Sequence, residues 1–349
     1  MINSVKDKNI AIVGGAGFIG HNLALTLKER GANVHVVDSL QVNNLGALYG
    51  SKDLKNRDVY LGIINERLNL LNAAEVPLHV VDAREYHLLN GVLNEIKPDI
   101  IVHLAAVAHA NQSNKDPHST FDHSLRTLEN SLDYARGRIS QFIYLSSSMI
   151  YGNFATGEVD ETTQCDPMGI YGALKFSGEK MVIGYNQVFD LPYTIIRPSA
   201  LYGQRCVSRR VGQIFIENAM NGHDISIQGD GSDRLDFTYI KDFVNGLVLA
   251  METDKAKNEI FNLTYGDGRS LKEMADILQK YFPEANIEHK EWDRLMPKRG
   301  TLSIEKAKTL LGYDPQYPLE KGFAEYIEWY KSMENKDEKT PLPLVVESL

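Results

Sequence analysis

Tyr171 and Lys175 stand four residues apart in the stretch YGALK. On a helix that spacing puts both side chains on one face, one turn apart. An ammonium beside a phenol favours the phenolate, and a phenolate available near the working pH is a general base. Three serines, Ser146, Ser147 and Ser148, close the apolar run QFIYL upstream. A hydroxyl at such a strand end can bond a substrate hydroxyl and a phenol oxygen together. A Tyr-x-x-x-Lys pair alone is equally well explained by a half-buried aromatic beside a solvated charge. Its place in the chain changes the reading: a Gly-rich loop near the N-terminus comes first, then the serines, then the pair.

In that loop, NIAIVG reads as a buried strand and HNLALTLKERG has helical periodicity, with GGAGFIG between them. Gly14 permits the tight turn, Gly17 lets backbone approach a pyrophosphate, and Gly20 lets the helix pack closely. Phe18 and Ile19 open the helix, whose N-terminus then faces the phosphates. Asp38 ends the next strand, ANVHVVD. A carboxylate there accepts both adenosine ribose hydroxyls and repels a 2′-phosphate, which favours NAD over NADP; otherwise it closes a strand-end turn. Asp82, ending PLHVVDA, can reach an adenine amino group or cap the following helix. Ala105 and Ala106 are small where backbone must lie against a dinucleotide, and His103 before them reads as a core histidine.

Strands must carry these residues, and helices must alternate with them. The pattern predicts an α/β fold: a Rossmann-type doubly wound parallel sheet with ligands at the strand C-termini, and a smaller mixed α/β substrate-binding lobe. With 349 residues the chain is too long for one typical domain. We place the cofactor domain at 1–200 and the substrate lobe mainly at 201–333, with a return to the core near 235–265. A mobile tail is expected over 334–349. Between Asp38 and Pro77 an extra helix is expected over 65–76 after a loop over 43–58, most simply as a spacer. The net charge of −9 argues against nucleic-acid binding. Two cysteines, Cys165 and Cys206, with no C-x-x-C, point to a reducing compartment, the cytoplasm. No leader, membrane span or metal-ligand spacing is read, so no catalytic metal is expected.

Together, the glycines, Asp38, HLAA at 103–106, SSSMIYG at 146–152 and YGALK resemble the extended short-chain dehydrogenase/reductases, and among them the nucleotide-sugar epimerases and dehydratases. The resemblance covers about residue 8 to about residue 332. It implies bound NAD and a catalytic set of Ser147, Tyr171 and Lys175. Tyr171 would take the proton of a sugar C4 hydroxyl while C4 gives its hydride to NAD, and Lys175 would hold the nicotinamide ribose. Dehydratases of this kind carry a Glu or an acidic pair just before the hydrophobic-Tyr-Gly; here Ser148 and Met149 stand there, and a thioether does no acid–base work. A C4 epimerase or a 4-dehydrogenase is left.

On the substrate side two usual contacts differ. Ala200 stands for an Asn, and Leu235 stands for the Arg before Asp-Phe, with Arg234 one place earlier. Arg205, Arg209 and Arg210 offer a substitute, since guanidinium forks fit phosphate; the stretch resembles the basic loop of GDP-mannose 4,6-dehydratases. Equally, it can be a solvated helix start. Arg299 falls on a further diphosphate arginine of the epimerases. The expectation is an NAD-dependent nucleotide-sugar C4 epimerase acting on a UDP- or GDP-sugar, a surface-polysaccharide precursor. It is expected to work as a homodimer through the helices at 119–137 and near Tyr171. A 4-dehydrogenase, a 4,6-dehydratase and a non-catalytic NAD-sensing protein are the alternatives.

Overall fold

Every second residue of β1 (Asn9–Val13) feeds a different layer: Ile10 and Ile12 pack into one core, Ala11 and Val13 into another. A strand apolar on both faces belongs inside a sheet covered by helices on both sides. The computed structural model, which describes residues 4–50, 55–107, 110–154, 157–291 and 297–337, shows that arrangement. The other strands of the sheet are β2 (Asn33–Asp38), β3 (Leu78–Val80), β4 (Ile100–His103), β5 (Gln141–Leu145), β6 (Tyr193–Arg197) and β7 (Glu259–Asn262). Their order is β7-β6-β5-β4-β1-β2-β3, and every pairing is parallel. Strand order reverses at β1, between β4 and β2, so the crevice for a ligand opens at the C-terminal ends there. This is the Rossmann-type α/β fold anticipated from the sequence.

The helices used below are α1 (Phe18–Glu29), α2 (Arg57–Ala73), α3 (Tyr86–Ile96), α4 (Thr127–Ala135), α5 (Gly169–Phe189), α6 (Val211–Met220), α7 (Ile240–Glu252) and α8 (Leu319–Asp337). Between Asp38 and Pro77 the chain is more helical than expected. The stretch read as loop holds a short helix, Leu45–Gly50, and α2 begins at Arg57 rather than near 65. Its buried residues Tyr60, Ile63, Ile64, Arg67 and Leu71 form one helical stripe, and the arginine inside it hides the stripe from a hydropathy reading. The helix expected over 119–137 is also interrupted: Pro117–Phe121 leads into a π-helical turn, Asp122–Arg126, before α4. Beyond the sheet, small two-stranded sheets form, among them Arg234–Asp236 against Gly268–Ser270. Residues 338–349, most of the expected mobile tail, lie outside the described residues. No described helix is long and apolar enough to cross a membrane.

Candidate active site

The Gly-rich turn is tighter than its three spaced glycines suggest. At Gly14, φ is +82° and a Cβ would lie 2.6 Å from Ala105 N, so the turn and the Ala105–Ala106 segment are pressed together. A Cβ on Gly20 would meet Gly15 at 2.5 Å, so the helix packs on the turn itself rather than on the strand. Gly15, not singled out from spacing, is equally constrained: a Cβ there would lie 2.7 Å from Ile12 O. Gly17 differs, because a Cβ there would meet only Gly14 O at 3.4 Å. Protein packing does not demand glycine at that position, and the space it leaves is what a pyrophosphate over the first N–H groups of α1 requires. Asp38 accepts from Ala16 N–H at 3.0 Å and from Leu40 N–H at 2.8 Å. Burial raises its carboxyl above the usual range, and those two bonds and Arg67 act the other way. These residues fit a dinucleotide.

Asp82 sits in a salt bridge rather than capping the next helix. Its carboxylate is gripped by Arg84, with Nε at 3.0 Å and Nη2 at 2.6 Å, and the same guanidinium reaches Gln41 Oε1 at 3.1 Å. The Arg84 grip joins Asp82 to the segment after β2 through Gln41; Glu85, not Asp82, stands at the N-cap of α3.

Ser147 follows β5, and its Oγ accepts from Met149 N–H at 3.2 Å as a short 3₁₀ turn, Ser148–Tyr151, begins. The same hydroxyl faces Tyr171 and lowers the pKa of its phenol. Tyr171, Lys175 and Glu179 are successive turns of one face of α5. The Lys175 ammonium is buried and donates to Leu145 O at 2.6 Å; burial lowers its pKa to about 8, against the pull of Glu179. Burial also raises the Tyr171 pKa, while Arg210, the Ser147 bond and Arg299 lower it. The charges acting on the phenol are therefore two arginines from the substrate side; Lys175, one turn on, turns to the main chain of β5.

That geometry depends on close packing of α5 against β5. A Cβ on Gly178 would lie 2.1 Å from the Tyr144 hydroxyl, which contacts Lys175 O at 3.4 Å. Beneath the site a buried ion pair ties the elements together. Arg197, at the end of β6, donates Nε to Glu179 Oε1 at 2.9 Å and Nη2 to Glu179 Oε2 at 2.8 Å. Its Nη1 donates to the Tyr151 hydroxyl at 2.8 Å, and that hydroxyl donates to Asn262 Oδ1 at 2.9 Å. One network thus joins the turn after Ser147, the helix of Tyr171, and the ends of β6 and β7. The sequence pattern alone did not single out Arg197; its signal is a lone charge closing the apolar strand YTII. His103 is buried against Ser131, at 3.1 Å, and its pKa falls to about 3 through burial and then the Lys175 charge, so it is a neutral core histidine.

The expected arginines separate. Arg210 sits at the N-cap of α6 and Arg299 is half-buried; both act on Tyr171, and burial together with Arg210 lowers the Arg299 pKa to about 10. The buried Nε of Arg299 has no partner among the described residues. Two guanidiniums that oppose each other beside a phenol make an anion-seeking corner. Arg205 lies 3.8 Å from Glu66, and Arg209 is exposed. The exposed Arg234 donates to Gly268 O, while Leu235 packs on the core. Neighbouring strand residues face opposite ways, so the one-place shift turns the guanidinium from the Leu235 side. Ala200 adopts φ +35°, a conformation Asn tolerates better than Ala. Among the described residues no His/Cys/Asp/Glu group could hold a metal ion.

A family profile described as the NAD dependent epimerase/dehydratase family matches residues 10–264. An uncharacterised UDP-glucose epimerase of Bacillus subtilis, YtcB, is 29% identical over 328 residues, covering 93% of this chain and 98% of that protein. A UDP-N-acetyl-alpha-D-glucosaminuronate decarboxylase of Bacillus cytotoxicus is 28% identical, over 94% of this chain and 99% of its own. The UDP-glucuronic acid 4-epimerase of Bacillus cereus, solved with UDP-glucuronic acid and NAD, superposes with a TM-score of 0.82 at 26% identity, covering 93% of this chain and 99% of that one. Since the profile spans both the Gly-rich turn and the helix of Tyr171, this chain belongs to the NAD-dependent epimerase/dehydratase family and is an enzyme whose cofactor is NAD.

Proposed function

We propose that the protein is a nucleotide-sugar 4-epimerase that works by transient oxidation at the sugar C4. The observation that carries this reading is the convergence of Ser147, Arg210 and Arg299 on the Tyr171 phenol, one helical turn from the buried Lys175 ammonium at the end of β5. Tyr171 takes the proton of the C4 hydroxyl and later returns one to the rebuilt alcohol. Ser147 bonds the same sugar oxygen and keeps the phenol oriented. Lys175, positively charged below a pH of about 8, holds the nicotinamide ribose. The turn at Gly14 and Gly17, the N-terminus of α1 at Phe18 and Ile19, Gly20, Asp38 and the Ala105–Ala106 segment hold the rest of the dinucleotide. NAD, when bound, accepts the C4 hydride and gives it back. Arg210 and Arg299 take the negative charge of the nucleotide diphosphate. Met149, buried where an acid would be needed to lose water from C5 and C6, supplies no group for that elimination.

The substrate in this reading is a UDP- or GDP-sugar of surface-polysaccharide synthesis, handled in the cytoplasm. The relatives named for UDP-sugars favour uridine. Incubation with UDP-, GDP-, dTDP- and CDP-sugars, followed by NMR, tests it: one nucleotide series yields a 4-epimer. No epimer from any series would reject the proposal. We further propose a homodimer. Phe121 (49% exposed), Ile170 (37%) and Val188 (70%) leave an apolar face on α5 and the helix preceding α4. Sedimentation should give the mass of two chains, and a monomer at micromolar concentration would dismiss this pairing.

A further inference from the structure

The arginine loop from Arg205 to Arg210 carries backbone strain at two points. Arg205 has φ +64° and Arg209 has φ +49°, both in the left-handed region that a residue with a side chain rarely adopts. Strained residues persist where surrounding contacts over-determine them. Each of these two is pinned. Arg67, only 1% exposed, directs both Nε (2.8 Å) and Nη2 at the carbonyl of Arg205. The N–H of Arg209 donates to Gln213 Oε1 at 2.9 Å. Gln213 in turn donates to Glu217 Oε1 at 2.8 Å, and Tyr330 of α8 donates to that oxygen at 2.9 Å. The other oxygen, Oε2, accepts from the Tyr60 hydroxyl at 2.6 Å and from Asn56 Nδ2 at 3.0 Å. So α2 grips the loop twice, through Arg67 at its C-terminal half and through Tyr60 and Asn56 at its start.

We propose that α2 is a brace for this loop, and that Arg67, Gln213 and Glu217 are positioning residues that set Arg210 against the anionic part of the substrate. The inference rests on the nucleotide-sugar reading above, and it gives the stretch between Asp38 and Pro77 a role other than spacer. A guanidinium suits that role because its planar fork fixes a carbonyl from two nitrogens, which a lysine cannot do. Burying that charge against a main-chain carbonyl is costly, and burial lowers the Arg67 pKa to about 10. A spacer helix has no use for such a residue; a helix that must hold a strained loop does. Arg67 also faces Asp38 electrostatically, so the brace touches the cofactor side as well.

The test uses the full chain with Arg67→Gln, Arg67→Lys and Gln213→Met, which act on opposite ends of the loop. The expected result is a KM for the turned-over nucleotide sugar raised roughly tenfold in Arg67→Gln and Gln213→Met, the scale of one charge-assisted bond, with bound NAD per chain unchanged in Gln213→Met, which lies away from Asp38. Arg67→Lys falls between these and the wild type. The groups facing the Tyr171 phenol are Ser147, Arg210 and Arg299, with Lys175 on the same helix. Once Arg210 is loosened, Tyr171 titrates at higher pH, followed through ¹³Cζ-labelled tyrosine and assigned with Tyr171→Phe. A merely structural role would lower the melting temperature but leave KM and the tyrosine titration where they were, and that result overturns the brace. If one variant fails to fold, the other end of the loop still decides. If the wild type turns over no nucleotide sugar, the substrate reading has failed, and the tyrosine titration alone judges the brace.

Discussion

Replacing Tyr171 by phenylalanine should lower turnover of the nucleotide sugar by about 10²–10⁴-fold, the range a positioned general base contributes. Melting temperature and bound NAD should match the wild type. The reason is local. The ring of Tyr171 packs at the start of α5, and phenylalanine keeps that packing; what is lost is the oxygen that Ser147 bonds and that Arg210 and Arg299 draw towards ionisation. Burial outweighs those three groups and holds the phenol above its ordinary range, and without them it would stand higher still. Their combined effect makes kcat/KM rise with pH through the phenol's pKa, and the variant has no such limb. Rates measured by NMR, with NAD counted by absorbance after denaturation, give both halves of the result. Turnover retained in Tyr171→Phe would place the base elsewhere.

The second large effect concerns stability. Arg197→Met should cost about 3–5 kcal/mol, because it strands a buried carboxylate. Both partners are closed from solvent, Arg197 at 3% and Glu179 at 1% of side-chain exposure, and they meet at 2.8 Å. With the guanidinium gone, the buried Glu179 carboxylate loses its hydrogen-bonded partner, and the Tyr151 hydroxyl loses its donor. Joint replacement, Arg197→Met with Glu179→Leu, should recover most of the loss, since a buried pair exchanged for apolar groups of similar volume is near neutral. Urea unfolding of the wild type, both single variants and the double variant forms the cycle. If the double variant is as unstable as Arg197→Met, the loss comes from the Tyr151 and Asn262 contacts rather than from an unpaired charge.

Much of the frame was legible because parallel strands buried on both faces read as apolar runs, and β1, β2, β4, β5 and β6 do so. Turn chemistry marked Gly14, Gly17 and Gly20. Two kinds of feature were not legible. One is what a side chain does when its partner is far along the chain. Arg67 looks like a solvated helix residue until its helix is seen against Arg205, 138 residues away. Arg197 looks like a strand end until Glu179 is placed beside it. Asp82 has the expected strand-end position, yet Arg84, two residues on, occupies its oxygens. The other is strain. Positive φ at Ala200, Arg205 and Arg209 leaves no trace in composition, and it is the contacts pinning such residues that give the loop its shape.

The central claim, oxidation at C4 followed by reduction from the other face, is tested most directly by following the C4 hydrogen. The wild-type enzyme is given the nucleotide sugar it accepts, deuterated at C4, in ordinary water, and the product is read by NMR. The account predicts a 4-epimer that keeps its deuterium at C4, with no solvent hydrogen introduced there or at C5 and C6. A 4-keto product accompanied by reduced cofactor, or a 4-keto-6-deoxy product that carries the C4 deuterium at C6 and a solvent proton at C5, would contradict it.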